Sequence, residues 1–330
     1  MNIRQFAKLA GVSPATVSLA LNNKKGIGRD TRERILELAK ENNYIATNDN
    51  LPKNILFLKY IKHGMIVEEN AGFIAAILDS IENDCKSQGY TLNMVSSINN
   101  LKTTLYSINY KNFFGIILLG TELDESSYPL LDEIPIPFVV IDNIMPHLKC
   151  NSIAIDNFEI VYGALEHLRE LGHKDIAYFK SNISIQNFDE RSLAFNKYVD
   201  KFRFVLKDEC IFEVTPTLLG AYNDALCQIP ENVKLPSCAF ADNDTIAIGV
   251  IKALKKLGYK VPQDISIIGF DDIPFAAINT PTLSTMSVPK KAIGSLSLQL
   301  LHLMIENETH LGQKIRVSGT KVHRNSTREL

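Results

Sequence analysis

The 330-residue sequence contains no tryptophan, and its five cysteines, Cys85, Cys150, Cys210, Cys227 and Cys238, are odd in number and widely spaced. None of them forms a C-x-x-C pair, which argues against a disulfide framework or a zinc cage and points to buried free thiols. No apolar run approaches the roughly 20 residues that span a bilayer. The opening MNIRQFAKLAG lacks the charged, apolar and small-residue layout of a signal peptide, so a cytoplasmic protein without membrane contact is expected. Also missing are G-x-S-x-G, G-x-x-x-x-G-K-[ST], H-E-x-x-H and a G-x-G-x-x-G that follows a strand. The expectation is therefore a protein that is not an enzyme and carries no cofactor and no metal. His167 and His173 lie six apart around a helix end and read as surface or capping residues rather than metal ligands.

What is present is uneven charge. Residues 1–46 hold eight Lys or Arg against four Asp or Glu, while the whole chain sums to −2, so a basic head precedes an acidic body. The head is helical by period and by its caps. Ile3, Phe6, Ala7 and Ala10 share one face, with Asn2 before them as a cap and Gly11 after them as a left-handed exit. Ser13 caps a second helix that has Pro14 at its first position and an inward stripe of Val17, Ala20 and Leu21. A third helix spans about Arg29 to Asn42, with Thr31, Ile35, Leu38 and Ala39 inward.

Two short helices joined by a tight turn have the layout of a helix-turn-helix, whose second helix enters the DNA major groove. Facing outward are Pro14, Ala15, Thr16, Leu19 and Asn22, with Ser13 at the cap and Lys24, Lys25 and Arg29 alongside. Thr16 and Asn22 can bond phosphates and the cations supply charge. Pro14, Ala15 and Leu19 can touch only thymine methyls or exclude water.

Beyond a short polar linker, ATNDNLPKN, apolar strands alternate with amphipathic helices from Ile55 onward. This is the pattern of βαβ units building parallel sheets covered on both faces, and its length suits two lobes. The expected fold class is α/β: a small all-α head followed by a two-lobed body. The boundaries read are 1–46 for the head, 47–54 for the linker and 55–330 for the body. Lobe one takes about 55–155 plus 286–312, and lobe two about 156–283 plus 314–330.

Polar residues just after parallel strands are the ones placed to meet ligands. Asp142 follows FVVI, Asn243 and Asp244 follow CAFAD, Asp271 and Asp272 end ISIIGFDD, and Arg191 opens the helix after DIAYFK. Carboxylates accepting hydroxyls, an arginine fork and an amide suit a neutral polyol such as a sugar. Asp244 and Asp272 are read as helix caps instead.

The runs AGVSPATVSLALNN, HLRELGHKDIAYF, RSLAF, DNDTIAIGVIKALKKLGYKVPQDISIIGFDD, TPTLSTM and RNSTR resemble landmarks of the LacI/GalR family of bacterial transcription regulators, in that family's order and spacing. The resemblance extends over nearly the whole chain. It implies a periplasmic-binding-protein-like body and a homodimer that binds double-stranded operator DNA in the bacterial nucleoid. It further implies a repressor of sugar-utilisation genes controlled by a small sugar-like effector between the lobes. A purine, a phosphorylated ligand or a corepressor protein is the alternative effector. By similarity, Phe73, Asp142, Arg191, Asn243 and Asp271 sit at the family's effector contacts. Departures are the absent tryptophan, Val288 where some relatives carry a sugar-contacting glutamine, and a linker about four residues short in which only Leu51 can serve as a hinge wedge. A short or absent hinge helix follows from that linker. RNSTREL shows no heptad extension, which favours a dimer over a tetramer.

Overall fold

The computed structural model describes residues 3–21, 26–42, 53–64, 71–230, 234–307 and 312–330. The chain divides into two compact units, Met1–Pro52 and Lys53–Leu330.

In the first unit, α1 (Ile3–Ala10), α2 (Pro14–Leu21) and α3 (Arg29–Glu41) match the helices read from the sequence. Gly11 ends α1 at φ 66°, a conformation that suits a residue without Cβ. Ser13 caps α2, its Oγ accepting the Thr16 amide at 3.0 Å. Phe6, Ala7, Val17, Ala20, Ile35 and Ala39 form the buried core of this unit, with Leu38 packed at its edge. The Arg34 guanidinium donates to the Ala10 carbonyl at 3.3 Å and so ties α3 to the end of α1.

The second unit begins with β1 (Lys53–Ile61), α4 (Ala71–Ser87), β2 (Tyr90–Ile98), α5 (Leu101–Ser107), β3 (Gly115–Leu119), α6 (Tyr128–Asp132), β4 (Phe138–Ile141) and β5 (Asn151–Ile155). The chain then passes through α7 (Asn157–Glu170), β6 (Ile176–Ser181), α8 (Gln186–Phe202), β7 (Ile211–Val214), α9 (Leu218–Gln228), β8 (Cys238–Ala241), α10 (Asp244–Lys256), β9 (Ser266–Asp271), α11 (Pro274–Ile278) and β10 (Ser284–Ser287). It ends with α12 (Lys290–Asn307), β11 (Lys314–Val317) and β12 (Thr320–Val322). Because β1 starts at Lys53, the last two residues expected in the linker belong to a strand; the rest of it, Leu51 included, lies outside the described residues.

Among the described residues two six-stranded sheets form, ordered β2-β1-β3-β4-β5-β11 and β7-β6-β8-β9-β10-β12. Every pairing in the first is parallel, and in the second only β12 runs antiparallel, to β10. Both sheets reverse direction of strand addition next to their first strand, so each carries a switch point where the carboxyl ends open a crevice. The central strands β3, β5, β8 and β9 are buried along their whole length, as cover on both faces requires, while the edge strands β2, β11 and β12 are partly exposed.

The chain crosses between lobes at Asp156, at Val288–Pro289 and at Ser318–Gly319. The lobe boundaries therefore differ from those expected: β10 joins the second sheet and β11 the first. The short STMS and KIRV segments carry too little periodicity to reveal which sheet edge each extends. The crossings are laced together. The Asp156 amide donates to the Val317 carbonyl at 2.9 Å. A Cβ on Gly319 would meet the Ser287 carbonyl oxygen at 2.6 Å and Ile160 Cδ1 at 2.9 Å, so glycine is what allows these segments to touch.

Candidate functional site

The carboxyl ends of both sheets face one another across a cleft. Its inner part is lined by Phe73, Thr121, Asp142, Asn187, Phe188, Arg191, Asn243 and Asp271, with Ile155 and Ile185 behind them. All five expected effector residues meet here, and all five are buried. The enclosed space is only about 20 Å³, room for about one water. A larger, open chamber of about 390 Å³ adjoins it at the mouth, walled by Lys62, Glu122, Tyr128, Gln186, Asp189 and Glu190 among others.

Arg191 organises the inner site. Its Nε donates to Asn157 Oδ1 at 2.9 Å, Nη1 to the Asp242 carbonyl at 2.5 Å, and Nη2 to Asp271 Oδ1 at 3.4 Å. The guanidinium stacks 3.6 Å from the centre of the Phe270 ring, which adds cation–π attraction in a dry setting. Contrary to expectation, Arg191 does not open its helix. α8 starts five residues earlier, at Gln186, after Ile185, which makes no side-chain cap bond. Without a capping residue the start had no signature in the sequence. The earlier start puts Asn187, Phe188 and Arg191 on one inward face, and it is why Asn187 and Phe188 escaped sequence reasoning.

Asp142 has both oxygens in hydrogen bonds: Thr121 of its own lobe donates at 2.6 Å, and Asn187 of the opposite lobe donates across the cleft at 3.0 Å. Burial lifts its pKa to about 6 against these hydrogen bonds. Asp142 and Asp271 both sit at positive φ, 62° and 106°, a strained backbone for non-glycine residues and one that collects at functional positions. Asn243 spends its Oδ1 on capping α10, accepting the Ile246 amide at 2.8 Å, so its amide NH2 is the group left to the cleft. Phe73 serves both as pocket wall and as core, with Lys290 Nζ 5.7 Å from its ring centre.

Two residues expected to cap helices do otherwise. Asp272 pairs with Arg324 at 2.7 Å. Asp244 is the first residue of α10 rather than its cap, and is buried with Oδ2 accepting the Ile273 amide at 2.9 Å and Oδ1 2.5 Å from the Thr285 hydroxyl. Burial pushes its pKa to about 8. A carboxyl that keeps its proton in the fold but loses it near pH 4 when unfolded favours the folded state less as pH rises, until both forms are ionised. His167, pushed by burial down to about 4, works in the opposite sense only below about pH 6.5. Between pH 6.5 and 8 we expect the urea midpoint to fall as pH rises, at up to about 1 kcal/mol per pH unit, and to flatten over that window in Asp244→Asn. An unchanged slope in the variant would show that another group carries the dependence.

His167 and His173 are buried rather than at the surface. His167 Nε2 lies 3.3 Å from His323 Nδ1, and His173 is held by Ser237 at 3.0 Å and the Arg328 carbonyl at 3.2 Å. They pack the second lobe because the carboxyl-terminal segment folds over the end of α7, which helix periodicity alone did not announce. No group of three or more His, Cys, Asp or Glu among the described residues could hold a metal ion. No described helix is long and apolar enough to cross a membrane.

In the head, Pro14 and Ala15 are exposed at the start of α2 and Leu19 is half-buried. Ser13 and Thr16 share a hydroxyl–hydroxyl bond of 2.8 Å, which uses one of their two protons and leaves the other available to a phosphate oxygen. Arg29 is exposed and pairs with Glu33 one turn on, at 2.9 Å. Asn22, Lys24 and Lys25 lie outside the described residues.

Residues 2–47 match the bacterial regulatory proteins of the lacI family, and residues 165–327 match a periplasmic binding protein-like domain. The HTH-type transcriptional repressor PurR of Photorhabdus laumondii is 31% identical over 330 aligned residues, covering 98% of this chain and 96% of that protein. The chain belongs to the LacI family. It is thus a DNA-binding transcriptional repressor. PurR of Haemophilus influenzae is 30% identical across 95% of the chain and 93% of its own length. Among solved structures, the transcriptional regulator CelR–cellobiose complex and the Lac repressor dimer bound to operator and the anti-inducer ONPF each superpose with a TM-score of 0.72 at 20% identity. Both cover 99% of either chain, and they share the LacI-family fold of head and two-lobed body.

Proposed function

We propose that this LacI-family repressor is controlled by a small planar heterocycle of the purine class, bound between the lobes, rather than by a free sugar. The observation that carries this reading is the composition of the inner cleft. Two phenyl rings, Phe73 and Phe188, offer flat apolar faces, while Asp142 and Asp271 accept and Arg191, Asn187 and Asn243 donate at the edges. A purine presents a π face together with alternating ring N–H donors and N or O acceptors, which matches both sets at once. The repressors similar to this chain across nearly its whole length bear the name PurR, which favours the same reading. Phosphorylated ligands fit less well, because among the described residues lining the inner site Arg191 is the one cation, and the mouth carries five carboxylates, Glu122, Asp124, Glu125, Asp189 and Glu190, against Lys62 and His63. The space of about 20 Å³ means that the lobes part to admit any ligand. Effector control then follows from unequal affinity for the DNA-competent and DNA-incompetent arrangements.

We further propose that Ser13, Pro14, Ala15, Thr16, Leu19, Asn22, Lys24, Lys25 and Arg29 meet DNA, and that the short linker with Leu51 weakens the hinge contribution. Titration of the protein on DNA upstream of its own gene tests the whole reading, with hypoxanthine, guanine and adenine set against ribose, glucose and cellobiose. A shift in operator affinity with one purine and none of the sugars is expected. A shift with a sugar alone overturns the purine assignment.

The working unit in this proposal is a homodimer. Leu218, Leu219, Phe275 and Ile278 are exposed around an apolar groove of about 290 Å³ on the second lobe. Apolar side chains grouped in this way mark an interaction face, and a second copy is the occupant that two-fold operator reading calls for. Ile278→Glu is expected to shift sedimentation to the monomer and to weaken operator binding at least about ten-fold, as the heads lose their paired attachment. A dimer of wild-type stability in this variant would place the interface elsewhere.

A further inference from the structure

We propose that Arg316 and Glu190 form a latch across the two lobes that sets how far the cleft stands closed, and that Asn157 is the positioning residue that ties this latch to the pocket.

Arg316 lies on β11 in the first lobe and Glu190 on α8 in the second. Their pairing is bidentate, Nη1 to Oε2 and Nη2 to Oε1, both at 2.8 Å. A fork-to-fork pair of this kind fixes angle as well as distance, so it tolerates little rotation of one lobe against the other. Glu190 is only 15% exposed and Arg316 34%, which spares the pair much of the screening that weakens surface bridges. Arg316 also donates to the Ile155 carbonyl at 3.3 Å, at the end of the strand that leads into the first crossing. The latch thus sits at the hinge and grips both sides of it.

Asn157 is fully buried and follows Asp156 directly out of that crossing. Its Oδ1 accepts Arg191 Nε at 2.9 Å, and its amide hydrogens go to Asn187 Oδ1 and Glu190 Oε2, each at 2.9 Å. One amide therefore holds two pocket side chains and one half of the latch, with both of its N–H donors in use. A ligand that draws Arg191 or Asn187 toward itself pulls on Glu190 through this group. Other contacts between the lobes run from Asn187 to Asp142, from the Ile144 amide to Gln186 Oε1 at 3.1 Å, and from Lys290 Nζ to the Asp271 and Asp272 carbonyls. None of these pairs opposite charges through a two-pronged fork.

The test uses the full chain without DNA or effector, so its outcome does not depend on the ligand proposed above. Nitroxide labels at Asp132→Cys, exposed at the end of α6 in the first lobe, and Asn196→Cys, exposed on α8 in the second, report the distance between the lobes once exposed Cys227 is replaced by serine. Arg316→Gln and Glu190→Gln are each expected to lower the ratio of closed to open molecules about ten-fold, the loss of one charge-assisted pair. The double variant is expected to match either single one, because both remove the same contact. Asn157→Ala is expected to shift the distances in the same direction, and Asn157→Asp further, since a carboxylate there repels Glu190. A merely structural role for Asn157 would lower the urea midpoint and leave the distances alone. Unchanged distances in Arg316→Gln and Glu190→Gln would overturn the latch.

Discussion

Replacing Arg191 with leucine is expected to destabilise the second unit by about 3–5 kcal/mol and to abolish any response to effector. Arg191 and Asp271 are 3% and 4% exposed, so neither charge has water to fall back on. Leucine fills much of the volume over Phe270 but offers nothing to Asn157 Oδ1, the Asp242 carbonyl or Asp271 Oδ1, and so removes the Arg191 donor from each of these three buried acceptors. The penalty arises from those buried groups more than from the lost attraction, because an unpaired buried charge costs more than a buried pair returns. Arg191→Lys separates the two effects. It keeps the charge but replaces a planar fork with a single ammonium, which cannot reach three acceptors at once. Its urea midpoint is expected between those of the leucine variant and wild type, with effector response still lost. A leucine variant that unfolds at the wild-type midpoint would show that Arg191 holds nothing together.

The fold was legible in the sequence wherever local chemistry and tertiary packing agree. Gly11, Ser13 and Pro14 announce the turn between the first two helices, and the structure uses each as its type suggests. Apolar runs such as FVVI and CAFA read as buried parallel strands because burial on both faces leaves no room for alternation. Asp142, Asn243 and Asp271 were found because a strand's carboxyl end places the next polar residue in the crevice. Thr121 also follows a strand, yet a lone hydroxyl after LLG carries no signal of its own. Asn187 and Phe188 were hidden by an uncapped helix start. The lobe assignment of β11 depends on pairing with β5, where Lys314 lies opposite Ser152, and that of β10 on pairing with β9, where Ser284 lies opposite Ile268. Periodicity within a window of a dozen residues does not register such distant partners.

Phe6→Ala is expected to abolish operator binding, by at least about 100-fold, while leaving the second unit folded. Phe6 is completely buried, and its neighbours in the head core are Ala7, Val17, Ala20, Ile35 and Ala39. In a core made largely of alanines a single phenyl ring supplies a large share of the apolar burial. Truncating a buried phenylalanine costs about 3–5 kcal/mol, and a unit of this size seldom holds more than about 3–5 kcal/mol in total, so the three helices separate. Once α2 is no longer pinned by Val17 and Ala20, Ser13, Pro14, Ala15 and Thr16 no longer share a surface, and DNA contact falls back on unfocused charge. Residues 53–330 have their own cores, built from strands and helices that include nothing from the head, and their thermal transition is expected to stay at its wild-type temperature. Fluorescence anisotropy on DNA from upstream of the gene and circular dichroism of the same samples separate the two outcomes. Residual binding that is weak, steeply salt-dependent and indifferent to sequence fits a disordered basic segment. Binding at wild-type strength would mean that the recognition surface does not depend on this core, and the assignment of α2 to the groove would fall with it.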